Sequence, residues 1–170
     1  MRPTPFAFPF AFLAFGATAC GATSPTAPTP APEAAPGTTL AVVRSVLAEM
    51  ADPPGAEGRT LSLVRYTIAP GAKLAPHIHP GVQMASIESG TLSYTIESGT
   101  AVIRRAGATD DERLEGPTIT KLGPGDSVDE VAGMVHFGAN ETDRPIVILA
   151  SLLTVSGEGL SVTVGSTTPP

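Results

Sequence analysis

From about residue 39 onward, apolar and polar positions alternate in short runs, and glycine or proline cuts each run off. "TLSYTIES" (91–98) places Leu92, Tyr94 and Ile96 at every second position and stops at Gly99. "TLSLVRYTI" (60–68) is followed by "APGAKLAP", and "VQMASIES" (82–89) by Gly90. "TAVIRR" (100–105) runs into the polar stretch "AGATDDERLEG", and "TITKL" (118–122) into "GPGD". "RPIVILASLLTV" (144–155) and "GLSVTV" (159–164) complete the series. Strand side chains point alternately to opposite faces, so a period of two marks a sheet with one buried face. Such runs, broken about every ten residues by turn formers, predict an all-β sandwich or barrel. "LAVVRSVLAEM" (40–50) fits either period, because Leu40, Val43, Leu47 and Met50 also fall on one side of a helix. Its valines favour a strand. The chain shows no internal repeat, and its 170 residues suggest one domain with appendages. We place that domain at 39–165, with a disordered tail at 166–170.

The first 38 residues follow a different pattern. Arg2 precedes an apolar run from Phe6 to Ala19 that carries no charge. It is shorter than the ~20 residues that span a bilayer, and it has the length of a signal-peptide core. "ATAC" (17–20) offers small residues before a cut, so residues 1–19 read as a signal peptide. Cys20 is the only cysteine, so it has no disulfide partner within the chain. Its place just after the apolar run resembles the lipid-attachment cysteine of bacterial lipoproteins, although Ala17 stands where leucine is commonest. The expectation is an exported, envelope protein, lipid-anchored at Cys20 or simply secreted or periplasmic. Residues 20–38, "CGATSPTAPTPAPEAAPGT", are nearly all small residues, proline and threonine. Such a segment buries too little to offset its ordering entropy and reads as a disordered tether.

Composition narrows the partners. The net charge of −6 with only ten Lys and Arg argues against nucleic acid, which needs clustered cations. Arg104-Arg105 reads as a solvated strand end. Five of the six phenylalanines precede Cys20, so the folded core must be built from aliphatic residues with Tyr66, Tyr94 and Phe137.

The chain has three histidines, two of them in "APHIHPGVQ" (75–83). On a strand His77 and His79 face the same side. Gln83 follows the Pro80-Gly81 turn and can return its side-chain oxygen to the same point. His136, in "GMVHFGAN", is the third, and a curled barrel can gather all four. Taken alone, an H-x-H pair is more often two polar neighbours on a solvated face than a metal site. The surrounding spacing changes that weighting. Gly71, five residues, His77-Ile78-His79, three residues, Gln83, six residues and Gly90 resemble the first motif of the cupins. Gly125, five residues, Val131-Ala132-Gly133, two residues, His136, three residues and Asn140 resemble the second. The resemblance covers roughly residues 59–155 and implies an antiparallel jelly-roll barrel, often dimeric, with a metal in its mouth. It also implies three histidine ligands and one carboxylate, for Fe, Mn, Zn, Ni or Cu.

Two positions depart from that pattern. Val131 replaces the motif proline, and Gly133 still supplies a permissive backbone; we expect a looser turn with His136 in place. Gln83 replaces the motif glutamate, so the expected ligand set is His77, His79, Gln83 and His136, without a negative charge. Glu88 has the opposite parity from Gln83 and is expected to face outward. Asp110, Asp111, Glu112 and Glu115 read as a solvated loop, and Asp126, Asp129 and Glu130 as turn residues of the second motif. No Ser-His-Asp or Cys-His arrangement, phosphate loop or paired-cysteine zinc motif occurs. The reading is therefore an exported metal-binding cupin domain that acts on or binds a small organic molecule, as a homodimer, with no membrane contact beyond the lipid anchor. An enzyme of this kind would be dioxygenase-, isomerase- or decarboxylase-like. The alternative is a non-catalytic ligand-binding barrel that has lost its metal.

Overall fold

A computed structural model describes residues 42–165. The signal peptide, Cys20, the tether and the 166–170 tail lie outside the described residues. The described chain forms twelve strands and no helix. They are β1 (Val42–Ala51), β2 (Arg59–Ile68), β3 (His77–Ile78), β4 (Gly81–Ser89), β5 (Leu92–Ser98) and β6 (Thr100–Arg104), then β7 (Asp111–Glu115), β8 (Thr118–Leu122), β9 (Ser127–Glu130), β10 (Val135–Ala139), β11 (Ile146–Val155) and β12 (Val162–Thr163).

The strands build an all-β jelly roll of two antiparallel sheets. One has the order β1-β2-β11-β4-β9-β6-β7 and the other β12-β3-β10-β5-β8. Their inner faces share one core. Val64 and Ile68 of β2 and Ala150 and Leu152 of β11 meet Leu92, Tyr94 and Ile96 of β5 and Leu122 of β8. The alternation seen in the sequence is this inner face: along β11 every second residue from Ile146 to Thr154 is buried. Each fully buried Ile or Leu contributes about 2 kcal/mol.

The ambiguous segment at 40–50 is strand β1, fixed by pairing with β2 from Val42↔Ile68 to Ala51↔Thr60. Three features differ from the sequence reading, the first being that Val135–Ala139, around His136, forms β10. The polar stretch after Arg105 is not all loop: Asp111–Glu115 forms β7, an exposed edge strand paired to β6. Only Leu114 on it packs toward the core, so it carries no readable alternation. Its charges face cations rather than the barrel mouth, with Asp111 2.6 Å from Arg104 and Glu112 2.9 Å from Arg105. Ser127–Glu130, read as part of a turn, is strand β9, with Val128 and Glu130 buried and Asp129 exposed.

Asp126 sets where β9 begins. Its carboxylate accepts hydrogen bonds from Ala106 N (2.8 Å), Gly123 N (2.9 Å) and Arg105 Nη1 (3.2 Å). Its backbone carbonyl accepts from Ile87 N at 3.0 Å, while Gly125 N donates to Ile87 O at 2.9 Å. These bonds clamp the start of β9 against β4. Burial opposes the charge, but the bonds from Gly123, Ala106 and Arg105 outweigh it and hold the Asp126 carboxyl below its ordinary range. A depressed folded value stabilises the fold above the unfolded pKa, and the benefit is lost as pH falls through the folded value. Asp126→Asn is expected to cost about 2 kcal/mol at pH 7. The gap between wild type and variant in denaturant unfolding should narrow below about pH 4, the ordinary Asp value. A gap constant between pH 7 and pH 3 would exclude the charge as its source.

Candidate metal centre

Two register pairs, one in each sheet, bring the candidate side chains together. His136 of β10 lies opposite His77 of β3. Glu130 of β9 lies opposite Gln83 of β4. Residues directly opposed in an antiparallel pair point to the same face, so each pair enters the interior as a unit. His79 stands between β3 and β4, where the chain passes from one sheet to the other.

The three histidines converge. Their ring centroids are 5.2 Å (His77–His79), 4.5 Å (His77–His136) and 5.2 Å (His79–His136) apart. One nitrogen from each lies within 4.8 Å of the others. His79 and His136 are each 3% exposed, and His77 sits half-buried toward the mouth. Val131 does not disturb this: Met134 N bonds Val131 O at 3.2 Å, Gly133 takes φ +82°, and His136 faces the interior.

Each Nδ1 faces a backbone carbonyl: Ala75 O at 2.9 Å for His77, Leu160 O at 2.6 Å for His79 and Met134 O at 3.3 Å for His136. A carbonyl only accepts, so each Nδ1 carries the hydrogen, and a neutral ring then has its lone pair on Nε2. This is the outer-shell arrangement that orients histidine for a metal. Burial, together with the neighbouring imidazoles, holds His77 below its ordinary value against the bond to Ala75. His136 is lowered by burial and raised more by the Glu130 charge, with a net upward direction.

Glu130 is the residue that the sequence reading misplaced. It was grouped with solvated turn acids, yet it is 3% exposed inside the barrel. The readable signal was its parity with Val128 in "SVDE", which places both on the core face. Its Oε1 accepts from Tyr94 Oη at 2.8 Å and lies 3.1 Å from His136 Nε2. Its Oε2 accepts from Gln83 Nε2 at 2.5 Å and lies 3.2 Å from His79 Nε2. Burial would raise its pKa, but His136 and His79 overcome this and hold the carboxyl well below the carboxylate range. Burial and the Glu130 charge push the Tyr94 hydroxyl far above the ordinary phenol value.

Gln83 lies in the interior, 8% exposed. The expectation that its amide oxygen faces the histidines does not match its bonds. A carboxylate only accepts, so the amide nitrogen must face Glu130, and the oxygen receives the Tyr66 hydroxyl at 3.5 Å. Glu88 faces outward, as its parity requires, and pairs with Arg65 at 3.1 Å. Asn140 is structural: its amide nitrogen donates to Ile68 O and Arg144 O, and its oxygen accepts from Thr142.

The donor set fits a divalent transition ion on one further observation. His79 Nε2 is buried with no hydrogen-bond partner. It lies 3.2 Å from Glu130 Oε2 without making a hydrogen bond to it. An orphaned buried polar atom costs about 1–3 kcal/mol, and a bound cation removes that cost. The histidines, Glu130, Tyr94 and Gln83 line a cavity of about 60 Å³, room for a few waters or a small ligand. Its other walls include Ile68, Ile87, Val128 and Ile148. It adjoins an outer depression of about 330 Å³ that shares Arg44, Leu74, His77 and Ser161 with it.

No protein-family model matches the chain, and no curated protein matches it. Among solved structures it is similar to a conserved protein of unknown function from Streptococcus pyogenes (16% identity, TM-score 0.46, 67% of this chain and 75% of that one). It is also similar to a cupin 2 conserved barrel domain protein from Leptotrichia buccalis (17%, 0.47, 67% and 41%). A third is a DMSP lyase from Ruegeria pomeroyi (22%, 0.45, 61% and 43%). The chain spans less than half the length of the latter two. None of these likenesses decides an activity for this chain.

The two tyrosines are expected to differ in weight. Tyr94→Phe removes a short bond to a buried carboxylate and should lower unfolding free energy by about 2 kcal/mol in denaturant titrations of metal-free protein. Tyr66→Phe loses only a contact at the outer limit of hydrogen bonding and should change it by less than about 0.5 kcal/mol. Equal losses would show that Tyr94 does not hold the carboxylate.

Proposed function

We propose that this domain is a metal-binding cupin of the cell envelope that binds or acts on a small organic anion. The metal would be Fe, Mn, Zn, Ni or Cu, held by His77, His79, His136 and one side-chain oxygen, which the motif spacing assigns to Gln83. The observation that carries the reading is the set of three converging histidines whose Nδ1 atoms are all committed to carbonyls, which leaves their Nε2 atoms for a ligand. When bound, the ion supplies a Lewis acid and an acidic bound water. The protein's own groups do the rest. The apolar walls exclude bulk water, and Tyr94 keeps its own proton and directs it at the Glu130 carboxylate.

Arg44 of β1 supports an anionic ligand. It lines both the inner cavity and the outer depression. It is the one Lys or Arg among the described residues that do so. Its guanidinium lies 5.8 Å from the Tyr66 ring centroid and donates to Ser161 Oγ at 3.5 Å, its one side-chain hydrogen bond among the described residues. A carboxylate is the simplest group that meets both a fork of donors and a metal. A metal-free, ligand-binding barrel is the second reading. It is supported by the 3.1 Å His136–Glu130 contact, which a proton alone can satisfy.

Elemental analysis separates the two. The first reading expects about one transition ion per purified chain, most of it lost in His136→Ala. Equal content in both proteins, or none in either, would favour the second. Arg44→Ala should weaken small dicarboxylates about tenfold or more in calorimetric titrations without changing metal content. Unaltered affinity would remove Arg44 from ligand recognition.

Two further elements of the reading concern assembly and place. Nine of the ten residues of edge strand β1 are exposed, with Val43, Val46, Leu47 and Met50 between 46% and 54%. An open apolar edge supports the homodimer, and sedimentation that stays monomeric with rising concentration would exclude it. Anchoring through Cys20 rests on the apolar run before it. A Cys20→Ser variant with the same membrane fraction as wild type would exclude the lipid.

A further inference from the structure

We infer that Glu130 supplies the metal-binding carboxylate that position 83 lacks, and that Gln83 has become the donor that holds it. This rests on the metal-centre reading and changes its fourth ligand. The resemblance places a glutamate at position 83, and this chain has glutamine there. The carboxylate has not vanished from the interior. It stands one strand away, because Glu130 is the direct register partner of Gln83 in the β4–β9 pair. Opposed side chains in such a pair start about 5 Å apart on the same face, so either position reaches the same point.

The contacts of Glu130 are those of a ligand rather than of a structural acid. Each oxygen has one neutral donor and one histidine Nε2. Oε1 has Tyr94 and His136, and Oε2 has Gln83 and His79. With Nδ1 protonated in every ring, the Nε2 lone pairs and the carboxylate repel at 3.1 and 3.2 Å unless a positive species lies between them. A proton on His136 would offset the Oε1 contact alone. Nothing among the described residues satisfies His79 Nε2, which is buried without a partner. One divalent cation satisfies the nitrogens and the carboxylate together. Two ligand atoms about 2.1 Å from a common ion, at octahedral or tetrahedral angles, are about 3.0–3.4 Å apart, which is the spacing of each Glu130 oxygen from its histidine Nε2. The histidine nitrogens, within 4.8 Å of one another, would draw in on binding. The bonds from Tyr94 and Gln83 are then the outer-shell bonds that orient a ligating carboxylate. Gln83 is poorly placed to be the ligand itself. Its nitrogen is spent on Glu130, and its oxygen receives the Tyr66 hydroxyl.

The test is a calorimetric titration of the purified, metal-stripped protein with Zn²⁺, and an absorption spectrum of the Co²⁺ form. Glu130→Gln is expected to weaken Zn²⁺ by about 100-fold or more and to shift the Co²⁺ bands, since loss of an outer-shell group alone costs about 10–100-fold. The double variant Gln83→Glu/Glu130→Gln has the same composition with the carboxylate moved back across the strand pair. It should recover Zn²⁺ affinity to within about fivefold of wild type. The double variant also guards against a Glu130→Gln protein that binds poorly only because it folds poorly. Glu130→Gln affinity within threefold of wild type overturns the inference. So does weakened binding with unshifted Co²⁺ bands, which would make Glu130 a positioning residue. Wild-type protein that binds neither ion would instead sink the metal-centre reading as a whole, a result distinct from either.

Discussion

A carboxylate buried in a protein interior must be surrounded by donors or cations, because stripping its water costs several kcal/mol even after relaxation. Glu130 meets that requirement in part with two donors, Tyr94 from one sheet and Gln83 from the other, and the Nε2 atoms of His136 and His79 beside it complete the shell only with a positive species between them. The interior of this barrel is arranged around that group. β9 carries it inside the seven-stranded sheet, between β4 and β6, so its position is set by pairing on both sides. Asp126 fixes the first residue of β9 through bonds to Ala106, Gly123 and Arg105. A slip of one residue would turn Glu130 outward and Asp129 inward.

The same constraint organises the histidines. Their Nδ1 atoms are tied to the backbone at Ala75, Leu160 and Met134, so the rings cannot turn away to find other partners. What results is a cluster with more inward-facing acceptors than donors, walled by Ile68, Ile87, Val128 and Ile148. In such surroundings electrostatic terms are several times stronger than in water. A positive species at the centre is favoured by every neighbour, and its absence leaves His79 Nε2 unsatisfied. The cavity is small, and its mouth carries Arg44 beside half-buried His77. Under the proposed function, a ligand that reaches the cluster would be compact, and Arg44 would favour one with a negative charge.

Much of the architecture was legible as alternation. β2, β5 and β11 each bury one face at period two and were legible within two residues of their ends, while β4 and β8 were announced by the proline and glycine residues that bound them. β7 and β9 were not legible, because "DERLE" and "SVDE" have one apolar residue each, Leu114 partly buried and Val128 buried. A strand whose inward positions are acidic looks like a turn until its partners are known. The β1 segment fitted two periods, and pairing with β2 decided between them.

The candidate centre divides along the same line. The spacing of His77, His79, Gln83 and His136 is local information: strand periodicity puts His77 and His79 on one face, and the motif resemblance, not periodicity, points all four toward one interior. Which atoms of those side chains are free is a tertiary matter, because it depends on carbonyls such as Leu160 O, 81 residues from His79. The role of Glu130 lay further from view. It is 47 residues from Gln83, and only the β4–β9 register makes the two neighbours. Sequence by itself determined that an all-β chain would carry three histidines inward. Tertiary structure decided which carboxylate joins them, because a charge enters a protein interior only where residues distant in sequence surround it with donors.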